Sequence, residues 1–380
     1  MASLYLSSEH LTGFEHYKYS ALDTSPLSNY IMHPFWNAVV KLCPSWLAPN
    51  VLTFTGFLLT VVNFITFSYY DFSFYAPAAI PSLIWLIVAI NHFLAHSLDG
   101  IDGKQARRTR SSSPLGELFD HGLDSWSTIF TPTCLYSVFG RSDYSISPLR
   151  FYFCLWSVFF TFISSHWEKY NTGVLYLPWG YDFSLILAFI TYLITFSQGV
   201  TFWHHTIPVI NMSTGTCLEL FLHLGAYGLS LPVSLYNIYV SYRDKTGKMR
   251  TLYEANRPLV STLVFFCICT VWVTYSPVDI ISHHPRCFYL LMGTVFSNIS
   301  CRLIVSQMSN TRCALLNYMM LPVAVVTFLS IQHFPGEVFL LYLVTLCTII
   351  AHSHYGVVVV RQMCQHFNLY CFQLKRPSSE

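Results

Sequence analysis

Charged residues are scarce in this sequence. Only 10% of its 380 residues are Asp, Glu, Lys or Arg, whereas 53% are hydrophobic. A soluble domain typically carries about 25% charged residues, so this chain has too few to cover a soluble surface. Apolar runs of about 20 residues, the length that crosses the hydrocarbon core of a bilayer, recur along the whole sequence. The shortage of charge therefore excludes a soluble globular fold and predicts an integral membrane protein.

Several other features are missing. The first 50 residues lack a basic start followed by an apolar core, so we expect no cleaved signal peptide. The twelve cysteines include no pair of C-x-x-C motifs and lie mostly in apolar runs, so structural zinc is not expected. The Lys and Arg residues form neither a basic arm nor an aromatic-basic pattern, so no nucleic-acid partner is expected.

Ten apolar segments are predicted to cross the membrane, and the predicted fold class is therefore an all-α integral membrane protein. The segments lie at about residues 51–70, 80–98, 117–138, 150–166, 181–203, 216–240, 259–276, 287–306, 314–333 and 337–358. Residues 1–50 are predicted to include an interfacial amphipathic segment. Phe35, Trp36 and Trp46 carry rings that suit the headgroup layer.

The positive residues support this count of spans. All but three of the 20 Lys and Arg residues fall at the N-terminus, in the loops after even-numbered spans, or in the C-terminal tail. The exceptions are Arg141, Arg150 and Arg286. By the positive-inside rule, both termini and the even-numbered loops face the cytosol. The loop after the second span, which is rich in acidic residues, then opens on the cytosolic side.

The acidic residues of this region follow a helical spacing. Two sets of residues are spaced i, i+3, i+4 and i+7, which places each set on one face of a helix. The sets are Asp99, Asp102, Gly103 and Ala106, and then Glu117, Asp120, His121 and Asp124. Two helices joined by a turn at 108–115 would face each other with four aspartates between them.

Four carboxylates at a membrane boundary need compensation. A single Asp at the centre of a span costs about 3 kcal/mol on insertion scales. Oxygen ligands at this density suit hard cations such as Mg²⁺, Mn²⁺ or Ca²⁺. Two divalent ions would balance the four carboxylates and leave coordination positions for phosphate oxygens, as in two-metal phosphoryl transfer.

The neighbouring residues suit a phosphate-containing substrate. Gly103 and Ala106 leave room for a ligand beside the backbone, and Arg107, with Lys104, could neutralise a diphosphate. A divalent-cation transporter is the alternative, because it also needs carboxylates in the membrane. It does not account for the small residues or for Arg107, and transporters often build their sites from two repeats, of which none is visible here.

Glu117 and His121 form the predicted catalytic pair. Glu117 lies one turn before His121 and could hold one imidazole N–H, which would make His121 a general base for a hydroxyl group. Farther along the chain, His166, Glu168 and Lys169 are expected to anchor the cytosolic end of the fourth span at the membrane interface, with contact to the substrate headgroup as the alternative.

At the acidic motif the sequence resembles the CDP-alcohol phosphotransferase family. The family signature reads D-x-x-D-G-x-x-A-R, followed by G-x-x-x-D-x-x-x-D, and every fixed position matches: Asp99, Asp102, Gly103, Ala106, Arg107, Gly116, Asp120 and Asp124. Residues 47–53 are similar to the P-N-x-x-T segment before the family's first span. The whole chain most resembles the ten-span choline/ethanolamine branch, and within it the selenoprotein I type of ethanolamine enzyme.

The resemblance implies a reaction, the last step of the Kennedy pathway. Phosphoethanolamine would pass from CDP-ethanolamine to the 3-hydroxyl of diacylglycerol, giving phosphatidylethanolamine and CMP. It further implies an endoplasmic reticulum or Golgi membrane, an active site facing the cytosol, and a homodimer. CDP-choline is the open alternative donor, and CDP-diacylglycerol a more distant one. Members of the selenoprotein I type continue into a selenocysteine-containing extension, whereas this sequence ends at Glu380.

The resemblance also assigns roles to residues. The two Mg²⁺ or Mn²⁺ ions would be bound by Asp99, Asp102, Asp120 and Asp124. Asn50 and Arg107 would contact the CDP moiety, beside Gly103, Lys104 and Ala106, which the residue pattern itself already assigns to binding of the CDP-alcohol. The catalytic base would be His121, made more basic by Glu117. The predicted parts of the chain are a cytosolic or interfacial segment, a catalytic transmembrane core, further transmembrane helices and a cytosolic tail, at 1–50, 51–240, 241–358 and 359–380.

Overall fold

The structure is a computed structural model that describes residues 4–75, 79–177 and 179–374. These residues fold almost entirely into helices. In chain order the helices are α1 (Ser8–Glu15), α2 (His33–Val39), α3 (Pro49–Tyr70), α4 (Ser82–Arg108), α5 (Pro114–Phe139), α6 (Pro148–Thr172), α7 (Gly180–Gln198), α8 (Thr214–His223), α9 (Leu231–Arg243), α10 (Leu252–Tyr275), α11 (Ile280–His283), α12 (Pro285–Ser309), α13 (Met320–Ile331) and α14 (Glu337–Phe367).

Four two-residue strands accompany the helices in the described part of the chain. β1 (Ala21–Leu22) pairs in parallel with β2 (Leu175–Tyr176), and β3 (Thr206–Ile207) pairs antiparallel with β4 (Met212–Ser213). The β1–β2 pair joins the N-terminal segment to the end of α6. Strands this short add little to the fold, which is all-α as predicted.

Seven helical segments in the described residues are long and apolar enough to cross a membrane. They are α3, α4, α7, the continuous unit Thr214–Arg243 that contains α8 and α9, α10, α12 and α14. This confirms a multi-pass membrane protein. The other three predicted spans coincide with α5, α6 and α13. The first two are long helices that carry more polar residues, and α13 has only 12 residues. The count of ten spans stays a prediction.

Helix α12 forms the centre of the bundle, because nearly all of its residues are buried. It packs against α5, α6 and α14. Its small residues allow close approach, as expected for helix packing in membranes. A Cβ placed on Gly293 would lie 2.3 Å from the side chain of Ile129 in α5. This contact holds α5, and with it half of the acidic motif, against the centre of the protein.

Helices α3, α4 and α2 pack through two further glycines. A Cβ on Gly56 of α3 would lie 3.1 Å from the Ala95 carbonyl oxygen of α4, and one on Gly100 would lie 2.1 Å from the Trp36 ring. Trp36 is therefore 5% exposed. The indole ring is covered because it packs on Gly100 of α4. Trp46, by contrast, is 74% exposed. The predicted interfacial position of the N-terminal segment stays a prediction.

The first residues of the chain lie across the bundle, and we call residues 4–22 the N-terminal strap. Leu6 and Phe14 of the strap are fully buried. Gly13 packs so closely on the backbone of Ser309, at the end of α12, that a Cβ would come within 2.1 Å of the Ser309 carbonyl oxygen. The strap ends in β1, which brings it next to the end of α6.

Candidate active site

Helices α4 and α5 form the predicted pair of acidic helices. Helix α4 ends at Arg108, and α5 begins at Pro114 after the N-cap Ser113, whose hydroxyl accepts a hydrogen bond from the Gly116 N–H at 3.2 Å. A Ser N-cap followed by Pro at the first helical position is a strong helix start. The turn between the helices is short, so the two acidic faces lie side by side.

Three of the four predicted aspartates form one group. Asp99, Asp120 and Asp124 each offer a carboxylate oxygen, and these oxygens lie within 4.8 Å of one another. Asp102 lies beside them, since its charge acts on Asp120, while its Oδ2 accepts a 2.5 Å hydrogen bond from the Thr53 hydroxyl. The helical spacing therefore brings all four residues to one place.

This group fits a divalent cation. Oδ1 of Asp120 is buried and has no hydrogen-bond partner among the described residues. Carboxylates this close repel each other unless a positive charge lies between them. Because hard oxygen donors suit Mg²⁺ and similar ions, the donor set matches such an ion in kind as well as in charge.

The start of α7 supports the acidic group, which the sequence did not reveal. The Tyr181 hydroxyl donates to Asp99 Oδ2 at 3.3 Å. The next residue, Asp182, accepts a hydrogen bond from Ser28 and lies 2.8 Å from His96 Nε2. The one sequence signal for this support was Asp182, an acidic residue in the first turn of an apolar helix, but its partners lie far away in the sequence.

Asn50 lies in the first turn of α3, next to the start of α5. Its side chain is 9% exposed, and its Oδ1 would lie 3.7 Å from a Cβ on Gly116. Its Nδ2 donates to the Cys371 thiol at 3.6 Å. Asn50 is thus placed beside the acidic helices, as a ligand-contacting residue would need to be.

Arg107 and Lys104 differ in their surroundings. Arg107 is exposed, and its guanidinium has no hydrogen bond or ion pair within the part of the chain that the structure describes. It lies next to Gly103, where a Cβ would meet only this guanidinium, at 3.6 Å. Lys104 instead donates to Asn37 Oδ1 at 2.9 Å. Arg107 therefore has donors available for a ligand, while Lys104 is turned toward α2. The neighbouring Ala106 is half-buried.

Two residues of α4 that the sequence did not single out hold the chain before α3. Gln105 is fully buried, and its Nε2 donates to the carbonyl oxygens of Pro44 and Leu47. Arg108 donates to the carbonyl oxygens of Val40 and Cys43. These bonds fix the segment directly before α3, and with it the position of Asn50 in the first turn of α3.

Glu117 makes two strong contacts. Its Oε1 accepts from the Tyr17 hydroxyl at 2.6 Å and from Lys169 Nζ at 2.5 Å. Its Oε2 is buried, and no partner for it is found among the described residues. Tyr17 was not expected at the site, and Lys169 was considered there only as the alternative to an interfacial anchor.

His121 faces a different set of groups. Its Nε2 lies 3.9 Å from Asp120 Oδ2, and its ring meets His166 edge-on with centroids 5.4 Å apart. No hydrogen bond joins His121 to Glu117 in the described residues, so the predicted support of His121 by Glu117 stays a prediction.

The expectation for the end of α6 is wrong. His166, Glu168 and Lys169 are only 2–3% exposed, so they do not anchor the helix at an interface. Glu168 accepts hydrogen bonds from Ser234 and Asn237, which tie α6 to α9. These polar residues are buried because each finds a partner within the bundle.

The fold and the site define a multi-pass membrane protein with a carboxylate-rich site at the adjoining ends of two helices. Residues 46–215 match the family profile described as CDP-alcohol phosphatidyltransferase. The chain belongs to this family.

Similar proteins of known name extend the comparison. Ethanolaminephosphotransferase 1 of Mus musculus is 49% identical over 99% of this chain and 96% of its own length. The Homo sapiens protein of that name is 48% identical with the same coverage. Cholinephosphotransferase 1 of Danio rerio is 34% identical over 80% of this chain and 78% of its own length. The similarity to the first two includes the N-terminal strap as well as the acidic helices.

Proposed function

We propose that this chain is an ethanolaminephosphotransferase, which transfers phosphoethanolamine from CDP-ethanolamine to the 3-hydroxyl of 1,2-diacylglycerol. The products are phosphatidylethanolamine and CMP. The observation that carries the proposal is the carboxylate group of α4 and α5, in a chain 48–49% identical over nearly its full length to proteins named ethanolaminephosphotransferase 1. One substrate is water-soluble and the other dissolves in the bilayer, which suits a polar site in a membrane protein.

The acidic group would hold the cofactor. Two Mg²⁺ or Mn²⁺ ions, bound by Asp99, Asp102, Asp120 and Asp124, would supply positive charge to the diphosphate and to the CMP leaving group. The support is the donor chemistry and the unpartnered, buried oxygen of Asp120.

The protein's own residues would orient the donor substrate. The Arg107 guanidinium has no hydrogen bond or ion pair among the described residues, and its fork of donors suits two phosphate oxygens. Asn50 would contact the CDP moiety from the first turn of α3, and Gly103 and Ala106 would leave room for it. Lys104 would add positive charge from farther away. Orientation of this kind supplies much of the rate in phosphoryl transfer, because little covalent chemistry falls to the protein.

His121 would act as the general base. The diacylglycerol oxygen attacks the phosphorus that carries ethanolamine, the bond from that phosphorus to the CMP oxygen breaks, and the hydroxyl proton passes to the imidazole of His121. Glu117 would raise the basicity of His121 by accepting its other N–H. The support is their spacing of one helical turn and Oε2 of Glu117, which has no hydrogen-bond partner in the part of the chain that the structure describes.

The topology follows from the proposed reaction and the charge distribution. Ten spans, with both termini in the cytosol, would place the ends of α4 and α5 on the cytosolic side, where a water-soluble donor is available. An endoplasmic reticulum or Golgi membrane and a homodimer belong to the same proposal, and both rest on family resemblance.

CDP-choline is the second candidate donor, favoured by the 34% identity to a cholinephosphotransferase. The test is a microsomal assay with diacylglycerol and Mn²⁺, in which CDP-ethanolamine, CDP-choline and CDP-diacylglycerol compete. Phosphatidylethanolamine is expected as the main product. Phosphatidylcholine as the main product would overturn the donor assignment. The absence of any lipid product, together with metal flux across the membrane, would favour a transporter.

A further inference from the structure

Three residues from distant parts of the chain meet beside the acidic group. Tyr17 comes from the N-terminal strap, Glu117 from the first turn of α5, and Lys169 from the last turn of α6. The side chains of Glu117 and Lys169 are 8% and 3% exposed, so their ion pair is almost free of solvent. Both Tyr17 and Lys169 bond the same oxygen, Oε1 of Glu117.

Two neighbouring rings complete the cluster. The Lys169 ammonium lies 5.4 Å from the centre of the Tyr17 ring and 5.3 Å from that of Tyr19. A cation over aromatic faces is stabilised further when it is shielded from water. Tyr19 resembles Tyr17 in this contact, but no hydrogen bond of its hydroxyl is found among the described residues. The two tyrosines therefore share the ring contact with Lys169, but they differ in the hydrogen bond of the hydroxyl and in exposure, since Tyr19 is 56% exposed and Tyr17 is half-buried.

The state of the Tyr17 hydroxyl is fixed by its surroundings. Burial and the negative charge of Glu117 raise the pKa of Tyr17 well above its ordinary value. The phenol thus stays protonated at working pH and donates its hydrogen bond throughout. Lys169 also acts as a donor, and an ammonium has no acceptor atom. Lys169 can therefore only donate, and the un-ionised Tyr17 hydroxyl donates as well, so Oε1 of Glu117 accepts both hydrogen bonds.

We propose that Tyr17 and Lys169 are positioning residues, which hold Oε1 of Glu117 so that the free Oε2 serves His121. Neither residue touches the reacting atoms. Their two hydrogen bonds fix the rotamer of Glu117, and the carboxylate is then already oriented when His121 takes up a proton. This inference rests on the proposed function, because it assigns His121 the role of base.

The position of the strap gives the cluster its rigidity. The buried Phe14 and the close contact of Gly13 with Ser309 fix the strap just before Tyr17. Pairing of β1 with β2 fixes it just after, a few residues beyond Lys169. The chain is thus fixed before Tyr17 by packing on α12 and after Tyr17 by strand pairing next to the end of α6. The Tyr17 hydroxyl is therefore held in position to bond Glu117.

The test compares Tyr17→Phe with its matched control Tyr19→Phe in purified protein with CDP-ethanolamine and diacylglycerol. Tyr17→Phe keeps the ring over Lys169 and removes only the hydroxyl that Glu117 accepts. We expect kcat per folded molecule to fall on the order of tenfold, a part of the 10²–10⁴ that acid–base catalysis contributes, with KM for CDP-ethanolamine unchanged. The solvent deuterium isotope effect on kcat should rise, because proton transfer becomes slower. Tyr19→Phe should match the wild type in all three quantities.

Lys169 provides a second comparison. Lys169→Met should lower kcat more than Tyr17→Phe does, and Lys169→Arg should restore much of the rate, because arginine supplies a charged donor to Glu117. If Lys169→Met does not fold, the Tyr17 comparison alone decides. A merely structural role would reduce the amount of folded protein without changing the isotope effect.

The outcomes separate this inference from the proposed function. An active wild type in which Tyr17→Phe and Tyr19→Phe behave alike would overturn the positioning role alone. A wild type that uses only CDP-choline would overturn the donor assignment, and the same comparison would then be made with that donor. A wild type inactive with both donors would overturn the proposed function and this inference together.

Discussion

Thr53 positions a carboxylate of the acidic group through a single hydroxyl. It lies one turn after Asn50 in α3, and its hydroxyl donates to Asp102 at 2.5 Å. Groups that orient metal ligands from behind commonly alter metal affinity when they are removed. The same turn of α3 therefore carries one residue proposed to contact the donor substrate and one that supports the proposed metal site.

Replacing Thr53 with Val should raise the Mn²⁺ concentration that gives half-maximal activity by about tenfold, at the lower end of the effects seen for such supporting residues. The change removes the hydroxyl while keeping the branched shape. Thr53→Ser is the matched control, because it keeps the hydroxyl, and it should stay near the wild type. A Mn²⁺ titration of activity measures the effect. Identical titrations for all three proteins would show that Asp102 does not need Thr53.

The adjacent Arg107 and Arg108 should respond in opposite ways to substitution. Arg107 has no protein partner among the described residues, whereas Arg108 donates to Val40 and Cys43. Arg107→Met should leave the melting temperature unchanged and raise KM for CDP-ethanolamine on the order of tenfold, because a charge-assisted pair to phosphate is lost. Arg108→Met should lower the melting temperature by a few degrees.

Kinetics at varied CDP-ethanolamine and thermal unfolding in detergent measure these two effects. If both variants lose stability and neither changes KM, Arg107 is a structural residue and the proposed diphosphate contact is wrong.

At the scale of elements, the glycines of α4 set how its neighbours pack. Gly100 and Gly103 lie one turn apart, but a Cβ on Gly100 would lie 2.1 Å from the Trp36 ring, while one on Gly103 would meet only Arg107 at 3.6 Å. Gly100 allows the Trp36 ring of α2 to pack directly against α4. Gly103 leaves the face of α4 open beside the acidic group.

Alanine at these two positions should therefore affect stability differently. Replacing a helical Gly with Ala normally stabilises a protein by up to about 1 kcal/mol, so Gly103→Ala should keep or raise the melting temperature. Overpacking costs about 1–3 kcal/mol, so Gly100→Ala should lower it. Thermal unfolding of both variants measures the difference. Equal melting temperatures would show that α2 can move away from α4 without loss.

The elements that the sequence predicts well are those defined by local spacing. The i, i+3, i+4, i+7 pattern correctly placed the acidic residues on two adjacent helical faces, because a helix fixes that geometry by itself. Span boundaries were less accurate. The segment predicted at 314–333 forms α13 only from Met320, because Asn317 accepts a hydrogen bond from the Met319 N–H and is itself bonded to Asn298.

Contacts between distant residues could not be predicted in this way. Lys169 lies 52 residues after Glu117, and Tyr17 lies 100 residues before it. Nothing in the local sequence shows that a lysine at the end of an apolar helix is buried against a carboxylate. The hydrophobic pattern accordingly favoured an interfacial role for the end of α6, which the structure contradicts.

At the scale of the whole molecule, a polar, carboxylate-rich site is built within a bundle of largely apolar helices. The centre is α12, which carries α5 on one side and the N-terminal strap at its end. The acidic group lies where α4 and α5 adjoin, supported by α3 and α7. The first and last described segments both reach this region, since Tyr17 bonds Glu117 and Cys371 accepts from Asn50. The proposed active site is thus assembled from nearly the whole chain.

The most direct test of the central claim is lipid synthesis by the purified full-length protein in liposomes containing diacylglycerol. Wild-type protein with CDP-ethanolamine and Mn²⁺ should produce phosphatidylethanolamine, lose this activity with a chelator, and regain it when Mn²⁺ is restored. Asp124→Asn should fold normally, yet its rate should fall by more than about 100-fold, because the carboxylate group would lose a ligand for the proposed ions. Chelator-insensitive synthesis, or an Asp124→Asn variant as active as the wild type, would contradict the account.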